Sequence, residues 1–322
     1  MRTDLPSFPL SLLPTPLHPL PRFSAWLDAG VEVWVKRDDL TSLALGGNKL
    51  RKLSYLVAAA MAEEATDLVT TGAIQSNHCR QTAAAAAQVG LGCHLVLRGG
   101  PDDRPGGNLF LNRLLGAQLH WAGSPDTLPL MARILTELDR QGRRPYGIPL
   151  GGSTPTGAAG YAYAWMEMAQ QTETLGVEFD AVVFATSSGG TQAGLAVGAG
   201  ENGWDGEIHG ISIDHKVAQL DAVAEPLTAA TASLLAARRI HPVLVHDAYL
   251  GGGYGVLGEP EREAILALAR SEGLLVDPVY TGRALAGLID LARRHRLVGR
   301  VLFWHTGGTP ALFAYERELS AH

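Results

Sequence analysis

Lys49 and Lys52 stand three residues apart in ALGGNKLRKL (44–53), where two glycines and an asparagine lead into a run with helical spacing. A solvated basic face is the ordinary reading of such a pair. Lys49, however, follows directly on the Gly-Gly-Asn bend, which suits an amine held in a cleft. Desolvated there, with a second cation nearby, it would keep its neutral form and could attack a carbonyl to make a Schiff base. A second segment, SSGGTQAGL (187–195), follows a strand-like run and opens a helix-like one. Backbone N–H groups of Ser188, Gly189, Gly190 and Thr191 at a helix start would form a nest for an anion; an ordinary glycine turn is the alternative. The loop has neither GxGxxG spacing nor a terminal GK[ST], so a single phosphate monoester fits better than a dinucleotide or nucleoside triphosphate.

In GAIQSNHCRQTAA (72–84), Ser76 or Asn77 can cap the helix that follows. Three consecutive polar residues, Ser76, Asn77 and His78, exceed what a cap needs, and with free helix N–H groups they could hold a substrate carboxylate. His78 by itself reads equally as a hydrogen-bonded partner. LGGGYGV (250–256) and DPVYTGRALAGL (277–288) each set a tyrosine, Tyr254 and Tyr280, against glycine. Packing explains most tyrosines, but flanking glycines let a backbone approach a ligand closely. In FWHTGGTPALF (303–313), Thr306 again follows a strand end. A reactive lysine, a phosphate cup, a carboxylate site and phenolic hydroxyls together point towards pyridoxal 5'-phosphate and a small amino-acid substrate.

These pieces need a frame that brings them to one place. Strand-like runs at 31–37, 67–72, 93–99, 180–186, 207–213 and 300–307 alternate with Ala/Leu-rich helical stretches at 49–65, 79–90, 160–173 and 259–273. Such alternation predicts an α/β fold of mostly parallel sheets with flanking helices, in which ligands sit at the carboxyl ends of strands. The 322 residues suffice for two domains. Glycine-rich segments at 41–47 and 147–160 are candidate hinges around an inserted lobe, giving a small α/β domain over 49–155 and a large domain from 1–48 and 156–322. Glycine is about 12% of the chain, 38 residues, against the roughly 7% usual in proteins, a surplus expected in turns and ligand loops.

The net charge of −6 offers no footprint for nucleic acid or an anionic membrane. The apolar start, MRTDLPSFPLSLLPTPLHPL, is broken by prolines and lacks the form of a signal peptide, and no apolar run is long enough to span a bilayer. Cys79 and Cys93 are too few and too far apart for a metal cluster and read as reduced thiols, so a cytoplasmic protein without a metal is expected.

VKRDDL, GGNKLRKL, GAIQSNHCRQTAA, DPVYTGRALAGLID and HTGGTPALFAY, in this order, resemble the aminocyclopropane-carboxylate deaminase and D-cysteine desulfhydrase family over residues 7–315. The resemblance implies a tryptophan-synthase-β-like fold (fold type II) and a homodimer. It implies that Lys49 carries the cofactor, that Lys52 and Ser188–Thr191 grip its phosphate, that Asn77 meets its 3'-oxygen, and that Ser76 and His78 adjoin the substrate carboxylate. Thr281 falls where the cyclopropane deaminases carry a glutamate facing the pyridine nitrogen, which favours β-elimination of a good leaving group over ring opening. The activity implied is conversion of D-cysteine to pyruvate, hydrogen sulfide and ammonia, with Lys49 moving the Cα proton and Tyr254 or Tyr280 acting as acid or base. Lyases or deaminases of L-cysteate, β-chloro-D-alanine or the cyclopropane amino acid are the alternative. Arg283, where the compared desulfhydrase has lysine, and the SSGG loop, Ser-Ala-Gly in some relatives, are the departures noted.

Overall fold

A computed structural model describes residues 1–101 and 106–320. Its strands are β1 (Leu17–Pro19), β2 (Glu32–Arg37), β3 (Asp67–Gly72), β4 (Gly92–Leu97), β5 (Gln118–Trp121), β6 (Pro145–Ile148), β7 (Ala181–Thr186), β8 (Glu207–Ser212), β9 (Leu244–His246) and β10 (Arg300–His305). The helices are α1 (Pro21–Leu27), α2 (Lys49–Ala62), α3 (Asn77–Val89), α4 (Gly107–Leu114), α5 (Leu128–Arg140) and α6 (Pro155–Leu175). They continue with α7 (Gly190–Asn202), α8 (Val217–Leu234), α9 (Glu259–Glu272), α10 (Thr281–Arg293) and α11 (Glu316–Ser320).

The strands make two sheets, a larger one ordered β1-β2-β10-β7-β8-β9 and a smaller one ordered β5-β4-β3-β6. Every pairing is parallel except that of the edge strand β1 with β2. The expected α/β class with mostly parallel sheets is therefore the one observed. Apolar side chains on both faces of the central strands explain it: Val183 and Phe303 pack towards α1, α9 and α10, while Val182 and Leu302 pack towards α6 and α7. In the smaller sheet Leu68 and Leu95 meet the apolar stripe Leu50, Leu53 and Val57 of α2, and Val69 and Val96 meet α5.

Helix α2, which carries both lysines of interest, is fixed by a buried charge cluster between the sheets. The Arg51 guanidinium donates to both carboxylate oxygens of Asp38, at 2.9 and 2.8 Å, and to Glu167 of α6 at 3.0 and 2.9 Å. Asp38, wholly buried, also accepts from Tyr161 at 2.6 Å and Trp304 at 2.8 Å. Although burial opposes its charge, Arg51 and Lys36 hold its carboxyl down at about 2.

The glycine-rich segment 147–160 carries regular structure. It resolves into the end of β6, a short turn and the first turns of α6, begun by Thr154, whose hydroxyl accepts from the Gly157 N–H at 3.0 Å, with Pro155 next. Gly160 is there for close packing: a Cβ on it would lie 2.2 Å from the Arg51 carbonyl oxygen, where α6 crosses α2.

Candidate active site

The carboxyl ends of five strands from both sheets open onto one cleft. Ala73 follows β3, Arg98 follows β4, Ser187 follows β7, Asp214 comes two residues after β8 and Thr306 follows β10, and all five line it. Of the residues singled out in the sequence, Lys49, Lys52, Ser76, Asn77, His78, Ser188, Gly189, Gly190, Thr191, Tyr254, Tyr280 and Thr306 all line this wall.

Thr281 does not. Its hydroxyl lies at the start of α10, donating to Asp277 Oδ1 at 2.7 Å and to the Gly307 carbonyl at 3.0 Å, and is fully buried. The threonine hydroxyl that reaches the cleft from this side is that of Thr306.

Lys49 opens α2, its Nζ donating to Asn48 Oδ1 at 3.0 Å; Asn48 in turn donates to Thr191 Oγ1 at 3.1 Å. Burial brings its pKa down to about 8, with Asp277 opposing and Arg80 assisting the shift. Lys52 is also buried, and among the described residues its Nζ donates only to the Gly151 carbonyl, at 3.2 Å. Burial, then the charge of Lys49, pushes its pKa well below the ordinary lysine value. A buried ammonium lacking a carboxylate partner is costly unless an anion completes it.

Helix α7 starts beside it. Gly189, the residue before the helix, has φ +77° and supplies no side-chain cap. A Cβ on Gly190 would lie 2.6 Å from Lys52 Nζ and 2.7 Å from Ser153 Oγ, so glycine leaves the first helical N–H groups bare next to a cation. Ser188 Oγ and Ser153 Oγ are 2.8 Å apart across the same cup.

Helix α3 begins differently. Ser76, not Asn77, is the cap, accepting from the Cys79 N–H at 3.2 Å. Asn77 Oδ1 accepts from Asn108 at 2.8 Å, which leaves the Asn77 amide N–H groups as its free donors. His78 Nε2 lies 2.8 Å from Thr70 Oγ1, and the Thr70 hydroxyl donates to the Ile148 carbonyl. His78 is therefore the donor in that pair, with its buried Nδ1 unpartnered. Burial and the two lysine charges drive its pKa well down, keeping the ring neutral.

On the facing wall the Tyr254 and Tyr280 hydroxyls are 2.8 Å apart. Burial raises both phenols far above their usual range. Asp277 sets Tyr280 by accepting from its N–H at 2.9 Å, and Arg283 sets the Tyr254 loop. The Arg283 guanidinium is fully buried, paired with Glu261 at 2.7 Å, and donates to the carbonyls of Ile213, Gly253 and Val256. That fork has no equivalent in a lysine, so this departure from the compared desulfhydrase holds two loops of the site. Asp277, Asp214 and Arg98 were not singled out in the sequence; the Asp-Pro step before α10 was the signal for Asp277.

A family model described as "Pyridoxal-phosphate dependent enzyme" matches residues 9–307. The chain belongs to this family. As a pyridoxal-phosphate-dependent enzyme it is 44% identical over 313 residues to a D-cysteine desulfhydrase of Serratia proteamaculans, covering 95% of this chain and 94% of that protein. A D-cysteine desulfhydrase of Salmonella newport is also 44% identical, over 97% of each chain. Among solved structures, one described as an ACC deaminase homologue superimposes with a TM-score of 0.92 at 38% identity, covering 98% of this chain and 96% of that one. A pyridoxal 5'-phosphate-dependent aspartate racemase, at TM-score 0.65 and 16% identity, shares the fold.

The residues present fit the cofactor. The unpaired buried Lys52 and the glycine cradle of α7 match a phosphate, and the depressed Lys49 amine matches an aldehyde. Among the described residues, no cluster of His, Cys, Asp and Glu could hold a metal ion.

Proposed function

We propose that this enzyme cleaves D-cysteine by β-elimination, taking up water and releasing pyruvate, hydrogen sulfide and ammonia. The observation that carries the proposal is the cleft that Lys49 and the paired hydroxyls of Tyr254 and Tyr280 line together. The two desulfhydrase relatives support the substrate. Bound pyridoxal phosphate would supply the electron sink for the charge left at Cα. Lys49 would hold it, Lys52 with Ser188, Gly189, Gly190 and Thr191 would receive its phosphate, and Asn77 and Thr306 would hold its ring end. The capped start of α3, with Ser76, Asn77 and His78, orients the substrate carboxylate.

With its pKa near 8, Lys49 has enough free amine at neutral pH to take the Cα proton. Burial keeps the Tyr254 and Tyr280 phenols protonated, so the pair stabilises the departing sulfur by donating a hydrogen bond to it. Thr281 acts from behind the wall, fixing Asp277 and so the start of α10. Neither Thr281 nor Thr306 carries a charge, which favours loss of a good leaving group over ring opening.

Incubating the holoenzyme with D-cysteine should release sulfide and pyruvate together. Release of 2-oxobutanoate from the cyclopropane amino acid, or of sulfite from L-cysteate, in place of those products would contradict the proposal. Tyr280→Phe and Tyr254→Phe should each lower kcat with D-cysteine.

The proposal includes an inserted small domain over 49–155, a homodimer and a cytoplasmic location. The smaller sheet lying within that span supports the first. Exposed Phe110 and Leu114 on α4 and Phe313 on the short helix packed against it support the second, which sedimentation tests. Free, buried Cys79 and Cys93 support the third.

A further inference from the structure

Arg98 is a cation of the cleft with no charge partner among the described residues. It follows β4 directly, its backbone N–H donating to the Gly72 carbonyl at 3.0 Å, so it stands beside the loop that leads into α3. Its charge reaches the Cys79 thiol in the first turn of that helix. Arg98 lines the cleft, its Nε is buried without an acceptor, and no carboxylate among the described residues pairs with it. Other buried or half-buried guanidinium groups nearby are tied down: Arg80 to the carbonyls of Ala44 and Gly46, Arg51 to Asp38 and Glu167. A planar donor fork kept free at a ligand wall is suited to a carboxylate.

The start of α3 needs such a group. Ser76 satisfies the Cys79 N–H with its hydroxyl and the Arg80 N–H with its carbonyl, which leaves the N–H groups of Asn77 and His78 as the helix's open donors. Two neutral donors fix a carboxylate's orientation but do not neutralise it. The charge count agrees: Lys52 faces the phosphate, Lys49 is committed to the cofactor, and Arg98 is left for the remaining anion.

We infer that Arg98 is a substrate-binding residue that pairs with the α-carboxylate of the amino acid held at the start of α3, and so makes the site select free amino acids over their amides. This rests on the reading of the cleft as an amino-acid site, but not on D-cysteine as the reacting compound.

The test uses D-alanine, which has no leaving group, and D-alaninamide, which has no carboxylate, each titrated into holoenzyme while its visible absorption is followed. Replacing Arg98 by glutamine (Arg98→Gln) should weaken D-alanine about tenfold or more, leave D-alaninamide within twofold, and place most of the loss with D-cysteine on KM. Arg98→Lys should recover part of the D-alanine affinity, since it restores the charge without the fork, and it also serves if the glutamine variant folds poorly. An unchanged D-alanine affinity in Arg98→Gln, or an equal loss for acid and amide, would overturn the inference. Failure of the unaltered holoenzyme to bind D-alanine would overturn it together with the amino-acid reading. Binding of D-alanine without sulfide release from D-cysteine would break only the activity proposed above, and the acid-against-amide comparison would still decide the role of Arg98.

Discussion

Two helices start on the same cleft, and they start in opposite ways. Helix α7 has glycine before and at its first position, no side-chain cap, and a buried lysine with no carboxylate partner beside it. Helix α3 has a serine that satisfies one of its own N–H groups, followed by asparagine and histidine already held by Asn108 and Thr70. A helix that caps itself keeps few donors to offer; one that does not cap itself depends on a ligand to complete it. The difference supports the proposed division, in which α7 takes the firmly held phosphate and α3 the transient carboxylate of a substrate.

Gly190→Ala should disturb this division most. The added methyl would press on Lys52 Nζ and Ser153 Oγ, with the Ser153 Cα only 3.1 Å away and unable to yield as a flexible side chain would. We expect protein that folds but purifies without the cofactor's visible absorption; near-normal cofactor content would break the comparison. Lys52→Gln comes next. It removes the cation of the cup, and the dissociation constant for pyridoxal phosphate should rise about 100-fold, the scale for losing one partner of a buried charge pair; fluorescence titration of apoenzyme reads it.

A third helix start, that of α2, is tested by pH. Attachment of the cofactor needs the neutral Lys49 amine, and burial lowers its pKa to about 8. The attachment rate should therefore rise about tenfold between pH 7 and 9 and then level off. An unshifted lysine would still be rising at pH 10. The smallest effect belongs to Ser76→Ala. Loss of the cap costs about 1 kcal/mol and should lower the unfolding temperature by a few degrees, with a several-fold rise in KM for D-cysteine.

Much of this arrangement was legible because it is local. The strand runs at 67–72 and 207–213 coincide with β3 and β8 to within a residue, since apolar β-branched stretches bounded by turns carry their own signal. Lys49 was legible from its place after a glycine bend, and the α7 nest from a glycine loop between strand and helix. What sequence left open depends on long-range packing. The clamp that seats α2 joins Arg51 to Glu167, 116 positions away, and nothing local links them. That glycines at 157 and 160 admit a neighbouring backbone was not legible, because sequence cannot tell a flexible glycine from a closely packed one. The family resemblance put Thr281 where a relative's glutamate faces the pyridine nitrogen; successive residues at a helix start point in different directions, and Asp277 draws the threonine inward. Arg98 and Asp214 stand where strand-end ligand residues are expected, yet single charges after strands look like ordinary turn residues.

The most direct test of the division between the two helix starts is to measure the pyridoxal phosphate dissociation constant in Lys52→Gln and in Ser76→Ala, side by side with the unaltered apoenzyme. The account predicts a loss of about 100-fold in the first and a change within threefold in the second. Equal losses in the two variants would contradict it, because the cofactor's anion would then depend on both helices alike.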